Sequence, residues 1–529
     1  MGFCINMSFS RIYSAQTHLL KGKIVTIEVD ITKNTLHSFT LVGLPDKAVD
    51  ESKDRMSSAL KNSGFNSPKN QNQKIVISLS PADLKKEGPY FDLAIAIAYL
   101  LSAEEINFDP ENRIFLGELS LNGELRPIKG ALPLTQEAKR LGYKEIFLPL
   151  ENAEEAALVD DITIYGAKNL KEVIDHIYIT KKDKKGIPLE PERPKISVQP
   201  QTQIVYKEKT NNIDFSDIKG QEGAKRGLEI AAAGGHNIAM SGPPGTGKTM
   251  LARVFSQILP DLEKEDILEI TGIHSIVGLL EDTLVTDSPF RAPHHTASYV
   301  SIIGGGVNPK PGEVTLAHKG VLFLDEFPEF EKRVIESLRQ PLEDNCVSIS
   351  RAKGSAIFPS NFILIAAMNP CPCGHKGSKQ KQCICKPSDL ERYARKLSGP
   401  IIDRIDIWVT VGVVDYEKLS NNNTEGEKTN TIKGRVKKAR EIQTKRFKNA
   451  SRKLNTNSEM NVKELSIYAP LDNETKKLLN GSAERLQLSA RAYHRIIKLA
   501  RTIADLEGSV DISQSHILEA LQYRPREMS

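Results

Sequence analysis

Apolar and polar residues follow two different periodicities along the first third of the chain. Short apolar-rich runs predict strands over residues 23–31, 73–78 and 145–148. Longer stretches with apolar residues at helical spacing predict helices over 47–63, 91–102 and 134–141. Gly64 and Gly142 follow two of these helices, where a glycine commonly ends a helix. Strands interleaved with helices indicate that residues 1–180 form an α/β unit.

Further along, a short apolar run at 237–241 and a stretch of helical spacing at 251–258 enclose a loop rich in glycine and proline. The loop fits the phosphate-binding pattern G-x-x-x-x-G-K-[ST], in the strand–loop–helix setting that the pattern requires. Its residues are Gly242, Pro243, Pro244, Gly245, Thr246, Gly247, Lys248 and Thr249. The glycines let successive backbone N–H groups converge on phosphates at the helix N-terminus. Lys248 supplies a positive charge to the outer phosphates, and the Thr249 hydroxyl is placed to ligate Mg²⁺.

A second apolar run, at 320–324, ends in two adjacent carboxylates, Asp325 and Glu326. This pattern is expected of a central parallel strand with acids at its C-terminal edge. Asp325 would hold the metal, directly or through water, and Glu326 would activate the attacking water. An apolar run ending in Asp-Glu is common by itself, and its position downstream of a phosphate loop is what favours a nucleotide site.

Length and composition bound the architecture. At 529 residues the chain is too long for one core, and its contents of 39% hydrophobic and 26% charged residues are ordinary for a soluble protein. We expect an N-terminal domain over 1–180, a polar and proline-rich linker over 181–211 and an ATPase core over 212–414, followed by a flexible connection over 415–430 and a helical C-terminal domain over 431–529. The net charge is only +5, so affinity for nucleic acid must come from local patches.

Three features indicate a cytoplasmic protein. The longest apolar run, at 93–101, is too short to span a bilayer. Residues 1–7 lack the charged-then-apolar pattern of a signal peptide. The six cysteines, four of them packed into fifteen residues, do not look like the disulfide framework of a secreted protein. We therefore expect no contact with the membrane.

The four clustered cysteines form two C-x-C pairs. They are Cys371, Cys373, Cys383 and Cys385. Four thiolates on one short loop suit a closed tetrahedral Zn²⁺ site that stabilises the loop, and His375 could replace one thiolate. Free structural thiols are the alternative, because paired cysteines need not bind metal.

With both nucleotide motifs placed, residues 218–226, 290–298 and 312–320 resemble the YifB/ComM family of magnesium-chelatase-like AAA+ ATPases. The resemblance extends over nearly the full chain. It implies an α/β multidomain protein with a Lon-protease-like α/β N-terminal domain, an AAA+ P-loop core with a helix-2 insert, and a helical C-terminal lid domain. It also implies ATP and Mg²⁺ as cofactors and places Gln221, in the first stretch, near the adenine.

The resemblance gives roles to three polar residues. Asn369 ends the apolar run 362–368, where AAA+ proteins have a residue that senses the nucleotide and orients the attacking water. Arg404, within 397–406, matches the arginine finger that acts on a neighbouring subunit, and Arg491 matches the second sensor. Without the resemblance, Asn369 begins a turn, Arg404 lies in a surface ion pair between two aspartates, and Arg491 belongs to a solvated helix face.

In the N-terminal domain, residues 86–92 and 116–130 resemble the protease domain of Lon, which uses a Ser–Lys dyad. Tyr90 stands at the position of the serine and Leu132 at that of the lysine. Peptide hydrolysis is therefore not expected, and the fold should survive as an accessory or substrate-engaging domain.

Two basic features are candidates for contact with DNA. Residues 345–358 predict a β-hairpin with Arg351 and Lys353 near its tip, and related helicases project such a hairpin into a central pore. A basic run with helical spacing follows in the C-terminal domain and could track phosphates, although a solvated helix is the alternative. Its residues are Lys433, Arg435, Lys437, Lys438, Arg440, Lys445, Arg446, Lys448, Arg452 and Lys453.

Three functions compete for this set of motifs. The resemblance favours a homo-hexameric DNA helicase that promotes branch migration on single-stranded or branched DNA during natural transformation or recombination. The alternative is a magnesium-chelatase-type ATPase motor that remodels a protein partner, although such a motor lacks the Lon-like front domain. The absent dyad argues against an ATP-dependent protease.

Overall fold

The computed structural model describes residues 7–179, 191–206, 213–306, 309–351, 354–377, 381–414 and 426–525. The chain divides into two compact units. Unit 1 consists of Met1–Val205 together with Lys264–Val285, and unit 2 of Tyr206–Glu263 together with Thr286–Ser529. The predicted α/β multidomain fold class is confirmed.

Unit 1 contains a seven-stranded mixed sheet and a small hairpin. Its strands are β1 (Met7–His18), β2 (Lys21–Lys33), β3 (Ser38–Val42), β4 (Gln73–Ser80), β5 (Arg113–Phe115), β6 (Glu118–Leu119), β7 (Leu125–Arg126), β8 (Glu145–Pro149) and β9 (Thr163–Ala167). The sheet order is β3-β4-β2-β1-β5-β8-β9, and β6 pairs with β7. Every second side chain of β4 is buried because one face of that strand meets the core, whereas four successive residues of β8 are buried.

The helices before residue 180 cover this sheet. They are α1 (Lys47–Asp50), α2 (Ser52–Asn62), α3 (Asp92–Ser102), α4 (Ala131–Arg140), α5 (Leu150–Ala156) and α6 (Leu170–Ile177). Helix α3 is almost wholly apolar and almost wholly buried, which makes it the central helix of this core. The strands and helices predicted from periodicity are confirmed here, except that the helix expected over 47–63 is divided into α1 and α2 at Glu51.

The middle of the chain forms a second sheet and two antiparallel strand pairs, Gly304–Gly305 with Lys310–Pro311 and Cys346–Arg351 with Gly354–Pro359. Its strands are β10 (Ile238–Ser241), β11 (Phe290–Arg291), β12 (Gly304–Gly305), β13 (Lys310–Pro311), β14 (Val321–Leu324), β15 (Cys346–Arg351), β16 (Gly354–Pro359), β17 (Ile363–Met368) and β18 (Ile407–Thr410). Five of them form a wholly parallel sheet in the order β11-β14-β17-β10-β18. Strands β15 and β16 pair as the predicted antiparallel hairpin, in a register that places Arg351 opposite Gly354.

The helices after residue 220 belong to unit 2 and surround this sheet or form most of the C-terminal part, except Lys264–Val277, which belongs to unit 1. They are α7 (Glu222–Gly234), α8 (Lys248–Ile258), α9 (Lys264–Val277), α10 (Tyr299–Ile303), α11 (Glu313–Leu316), α12 (Lys332–Ser337), α13 (Arg339–Asp344), α14 (Pro387–Ala394), α15 (Gly399–Ile402), α16 (Thr429–Phe447), α17 (Val462–Tyr468), α18 (Asn473–Arg485), α19 (Ala490–Leu506) and α20 (Gln514–Gln522). Short 3₁₀ turns lie at Pro68–Asn70, Phe215–Asp217, Phe327–Glu329 and Asn457–Glu459. One apolar core joins the sheet to α7, α8, α16 and α19.

One segment of the expected ATPase core folds with unit 1 instead. Helix α9 packs on α4, and the Ser275 hydroxyl donates to Oε1 of Glu155 at 2.5 Å. The same hydroxyl accepts from the backbone N–H of Gly130 at 2.9 Å. Burial raises the pKa of Glu155, whose carboxylate also accepts from the N–H of Leu132 at 2.8 Å. A single core boundary at 212–414 therefore misses this excursion, which local periodicity does not reveal.

Candidate nucleotide site

The strand order of the parallel sheet assembles the nucleotide motifs. Strand β17 lies between β14 and β10, and all three run in the same direction. Their carboxyl ends therefore share one edge of the sheet, which is where ligands bind in open α/β sheets. The phosphate loop follows β10, Asp325 and Glu326 follow β14, and Asn369 follows β17. Hydrogen bonds from Lys248 to Asn369 and from Thr249 to Asp325 bring these side chains together, while the roles given to them stay predictions.

The phosphate loop is shaped by glycines at positions that other residues tolerate poorly. Gly245 and Gly247 have φ values of 77° and 86°, in the left-handed region. Gly247 directly precedes α8, so the loop delivers the free N–H groups of that helix to its mouth. A Cβ on Gly242 would lie 2.1 Å from the carbonyl oxygen of Val411. The loop is therefore closely packed at its beginning and open at its helical end.

Lys248 lies folded into this loop. Its Nζ donates to the carbonyl oxygens of Gly242 and Pro243 at 2.7 and 2.9 Å and to Oδ1 of Asn369 at 3.3 Å. Burial lowers the pKa of the ammonium group, against the raising effect of the Asp325 and Glu326 carboxylates. A partly desolvated cation held only by neutral acceptors is ready to exchange them for phosphate oxygens.

Thr249 and Asp325 provide the oxygens that Mg²⁺ prefers. The Thr249 hydroxyl donates to Oδ2 of Asp325 at 3.0 Å, and the backbone N–H of Glu326 donates to Oδ1 of the same carboxylate at 2.9 Å. A hydroxyl and a carboxylate beside a phosphate loop fit the usual protein ligands of a nucleotide-bound magnesium ion. The residues present therefore fit the expected metal.

Glu326 has a partner that the sequence did not reveal. Its Oε2 lies 3.1 Å from Nδ1 of His295, and its backbone is left-handed with φ 51°. His295 follows β11, the strand beside β14, so the sheet places it next to the acidic pair. The only sequence signal was a pair of adjacent histidines within a family-like stretch. This contact holds the carboxylate of the expected catalytic base.

Asn369 is fixed from two directions. Its side-chain oxygen accepts from Lys248, and its backbone carbonyl accepts from the Tyr393 hydroxyl at 3.0 Å. Tyr393 lies on α14 and is 92% buried, and this burial raises its pKa. The expected nucleotide sensor is therefore in contact with the lysine expected to bind phosphate in the same chain.

Gln221 is occupied by the protein itself. Its side-chain amide donates to the carbonyl oxygen of Gly412 at 2.5 Å and accepts from the N–H of the same residue at 3.2 Å. Its φ of 63° lies in the left-handed region. The side chain thus ties the start of α7 to the segment after β18, and its expected place near the adenine stays a prediction.

Arg404 and Arg491 meet at one carboxylate away from these residues. Both guanidinium groups contact Glu343, Arg491 at 2.7 Å, and the Arg404 contact lowers the pKa of that carboxylate. Arg404 also donates to the carbonyl oxygen of Pro400 at 2.6 Å. All three side chains line a cavity of about 620 Å³. Within the described residues neither arginine forms a hydrogen bond or ion pair with Lys248, Thr249 or the acidic pair.

The four clustered cysteines are brought together. Their Sγ atoms all lie within 4.8 Å of one another, and Cys371 is buried while the other three are half-buried. His375, considered as a replacement ligand, is not part of this group. The four expected ligands therefore lie together, and Zn²⁺ binding itself stays a prediction.

The residues expected to contact DNA lie on the hairpin and in the basic run, and the structure describes the first group only in part. Lys353 lies outside the described residues, and for Arg351 only the backbone at the end of β15 is described. In the basic run, α16 is helical as predicted, but its arginines are largely occupied within unit 2. Arg435 pairs with Glu229 and Glu427, Arg446 with Asp505, and Arg452 with Glu464.

The remaining arginine and one lysine of the run also have partners within the chain, whereas other lysines are exposed. Arg440 donates to the carbonyl oxygen of Ala232, and burial lowers its pKa to about 10. Lys433 pairs with Asp261 at 2.6 Å. The exposed lysines of the run are Lys437, Lys438, Lys445, Lys448 and Lys453. The arginines of the run therefore have partners within the chain that are distant in sequence, and the prediction that part of the run tracks phosphates stays a prediction.

In unit 1, neither position of the Lon-type dyad carries a dyad residue. Tyr90 is mostly buried, with its hydroxyl 3.5 Å from that of Thr17, and Leu132 is fully buried in α4. Lys86 is also buried, but its Nζ donates to the carbonyl oxygen of Pro81. Among the described residues no helix has both the length and the apolar character needed to cross a bilayer.

Matches to known proteins extend over nearly the whole chain. Three family models match: "Subunit ChlI of Mg-chelatase" at residues 27–152, "Magnesium chelatase, subunit ChlI" at 214–419, and "Magnesium chelatase, subunit ChlI C-terminal" at 426–524. The competence protein ComM of Haemophilus influenzae is 41% identical over 520 residues, which cover 98% of each chain. The Escherichia coli protein YifB is 40% identical over 520 residues, covering 98% of this chain and 97% of YifB.

A shorter match concerns a protease. Lon protease 2 of Bacillus subtilis is 34% identical over 102 residues, or 19% of this chain and 18% of the protease. This likeness is partial.

Proposed function

The chain belongs to the YifB/ComM family of magnesium-chelatase-like AAA+ ATPases, and from that membership we propose that it is a hexameric DNA helicase. An ATPase motor that uses ATP and Mg²⁺ is the general activity of this family. The proposal adds the substrate, DNA with single-stranded or branched structure, and the process, branch migration during natural transformation or recombination. Its place of action is the cytoplasm.

ATPase activity is supported by two contacts at one edge of the sheet. Lys248 contacts Asn369, and Thr249 contacts Asp325. Lys248 can leave its carbonyl acceptors for the outer phosphates, and Thr249 and Asp325 would hold Mg²⁺. When bound, the metal offsets phosphate charge and helps stabilise the transferred phosphoryl group. Glu326, held by His295, would accept the proton of the attacking water, and Asn369 would orient that water.

The ring assembly is supported by the arginine pair. Arg404 and Arg491 converge on Glu343 and form no described hydrogen bond with the nucleotide residues of their own chain. Two guanidinium groups collected at one carboxylate can be presented together to a second subunit. A finger supplied across an interface stabilises the transition state of a neighbouring site and couples hydrolysis to assembly.

The choice of DNA as substrate has two supports. One relative carries the name competence protein, and this chain is 41% identical to it. Four exposed lysines, three on α16 and Lys448 at its C-cap, lie within an arc of about 100° when successive residues are separated by about 100° around the helix. This face, defined by Lys437, Lys438, Lys445 and Lys448, carries Glu441 as its only exposed acid. It is a small basic surface suited to phosphates.

A magnesium-chelatase-type motor that remodels a protein partner is the second candidate. Its support is that all three matching family models describe the ChlI subunit of magnesium chelatase. The two candidates differ in whether DNA is bound and processed at all, so one assay separates them.

The test is a four-way-junction assay with ATP, comparing wild type with the Arg351→Ala/Lys353→Ala double variant. We expect the double variant to keep basal ATPase activity but lose branch migration by at least about 10-fold, because contacts that position a substrate contribute strongly to turnover. Lys476→Ala/Lys477→Ala is the matched control, since it removes the same charge from exposed positions on α18. The control should process the junction like wild type.

Two results would count against the proposal. Wild-type protein that binds no single-stranded, duplex or branched DNA at low salt would favour the chelatase-type motor. Equal loss of junction processing in the control and the hairpin variant would remove the hairpin from the mechanism, because the effect would then follow total charge.

A further inference from the structure

We propose that Cys371, Cys373, Cys383 and Cys385 bind one Zn²⁺ and that this metal site holds Asn369 and the phosphate loop in their hydrolytic positions. The second half of this inference rests on the ATPase activity proposed above, but not on DNA. The metal site itself is independent of any activity.

The sulfur positions fit a tetrahedral centre. The Sγ atoms of Cys371 and Cys373 are 3.4 Å apart, those of Cys371 and Cys383 3.7 Å, and those of Cys373 and Cys383 3.6 Å. A tetrahedral ion with Zn–S bonds of about 2.3 Å has sulfurs about 3.8 Å apart. None of the pairs is at the much shorter distance of a disulfide, and all four sulfurs fall within 4.8 Å.

Backbone groups complete this arrangement. The N–H of Cys373 donates to Sγ of Cys385 at 3.4 Å, and the N–H of Lys376 donates to Sγ of Cys371 at 3.3 Å. Such bonds orient thiolate ligands and partly offset their charge. Four sulfur ligands with tetrahedral spacing favour zinc over magnesium or calcium, which take oxygen ligands.

The described part of the loop buries little apolar surface. Its apolar residue Ile384 is 86% exposed, and three of the four cysteines are only half-buried. The described parts of this loop, 371–377 and 381–385, contain no helix or strand. A segment without an apolar core of its own commonly requires a metal or disulfide to stay folded.

The loop is attached to the nucleotide site at three points. Cys371 is the second residue after Asn369, so the metal ligands begin almost directly at the sensor. At the far end, α14 brings the Tyr393 hydroxyl to the carbonyl oxygen of Asn369 at 3.0 Å. Between these ends, Gly374 lies against the phosphate loop, where a Cβ would be 2.6 Å from Cδ of Pro244.

These attachments make the metal site a positioning device for hydrolysis. Asn369 is held by the chain on both sides of the loop, and its side chain contacts Lys248. Releasing the loop would free the backbone that precedes Cys371 and withdraw Gly374 from Pro244. A displacement of about 1 Å at a group that orients a reactant can lower turnover about 100-fold.

The metal is tested by elemental analysis of full-length protein prepared without chelator. We expect about one zinc per chain in wild type and less than about a tenth of that in Cys383→Ser/Cys385→Ser, because the ligands carry the binding free energy. Cys346→Ser is the matched control, since Cys346 lies in β15 outside the cluster. Wild type without zinc, or zinc retained by the double variant, would overturn the metal site.

The coupling is tested with two glycine variants that keep all four cysteines. Gly374 and Gly377 have φ values of 79° and 75°, so an alanine costs similar backbone strain at either position. Only Gly374→Ala places a Cβ against Pro244, because nothing described lies within 4 Å of a Cβ at Gly377. We expect wild-type zinc content in both variants, with kcat for DNA-free ATP hydrolysis lowered about 10-fold or more in Gly374→Ala alone.

Other outcomes separate this inference from the proposed function. Equal kcat values in Gly374→Ala, Gly377→Ala and wild type would overturn the coupling. Zinc-loaded wild type that hydrolyses no ATP would also overturn it, while the metal site would stand. Failure to act on DNA would refute the helicase alone, because neither measurement contains DNA.

Discussion

At the scale of single residues, the state of Lys248 explains how the site can bind a highly charged ligand. The ammonium group is partly desolvated and satisfied by two carbonyl oxygens and an amide oxygen, all of them neutral. The acidic pair beside it has its own partners, Thr249 for Asp325 and His295 for Glu326. The positive group expected to bind phosphate and the carboxylates expected to bind metal and water therefore have separate partners. Removing the lysine should affect ATP binding, and removing the carboxylate of Glu326 should affect hydrolysis.

Lys248→Ala and Glu326→Gln should accordingly affect different steps. Removing the ammonium should weaken ATP binding by about 10- to 150-fold, since a hydrogen bond to a charged group contributes about 1.5–3 kcal/mol. Glu326→Gln should bind ATP like wild type and lower kcat by about 100- to 10,000-fold, the range of a lost general base. Fluorescent nucleotide titration and steady-state ATPase rates measure the two effects. Wild-type turnover by Glu326→Gln would exclude Glu326 as the base.

Other residue contacts could not have been predicted from the sequence. The phosphate loop and the Asp-Glu pair can be predicted because each is a short motif of adjacent residues. His295 and Glu343 acquire their roles only from partners that the fold brings to them, Glu326 in one case and two arginines in the other. A lone carboxylate in a helix has no local signal that two guanidinium groups will share it.

At the scale of elements, periodicity predicts strands well and the allocation of charge poorly. Strands β2, β4 and β8 coincide with their predicted runs because burial on one or both faces determines which residues can occupy them. Helix α16 was also predicted, yet the use of its charges depends on Glu229, Asp505 and other distant partners. The placement of α9 with unit 1 has the same origin, since its contacts with Glu155 and Gly130 are tertiary.

The exposed lysine face of α16 therefore makes a narrower prediction than the full basic run. Replacing Lys437, Lys438, Lys445 and Lys448 by Gln should weaken DNA binding with little sequence dependence, because phosphate contacts carry no base information. The slope of log affinity against log salt should fall by about 0.9 for each lysine that contacts a duplex phosphate. Salt titrations by fluorescence anisotropy measure this. An unchanged slope would assign these lysines to a solvated face, and Lys476→Gln/Lys477→Gln serves as the charge control.

At the scale of the whole molecule, a motor needs hydrolysis in one subunit to depend on its neighbour. Arg404 and Arg491 are the residues that could make hydrolysis depend on a neighbouring subunit. Both contact Glu343, and all three side chains line one cavity of about 620 Å³. The hydrogen bond from Arg404 lowers the pKa of Glu343, so this carboxylate stays charged at neutral pH and retains both arginines. An arginine that acts in the next subunit must exchange Glu343 for phosphate, which makes assembly and nucleotide binding mutually dependent.

Mixing two inactive variants tests whether the arginine acts between subunits. Arg404→Ala should bind ATP normally and lose about 1,000-fold or more in kcat, as expected of an arginine finger. Lys248→Ala keeps the finger, and at ATP concentrations near the wild-type Kd its own pocket stays largely empty. In an equal mixture, an interface is active when an intact pocket meets an intact finger, which occurs at about a quarter of the interfaces of a randomly assembled head-to-tail ring. ATPase activity should therefore return to about a quarter of the wild-type value if the sites work independently.

An arginine that acts within its own chain would give no recovery at any mixing ratio, because no subunit in the mixture has both groups. Repeating the mixture with Arg491→Ala assigns the second arginine by the same arithmetic. Recovery with both variants would place the whole Glu343 cluster at the interface.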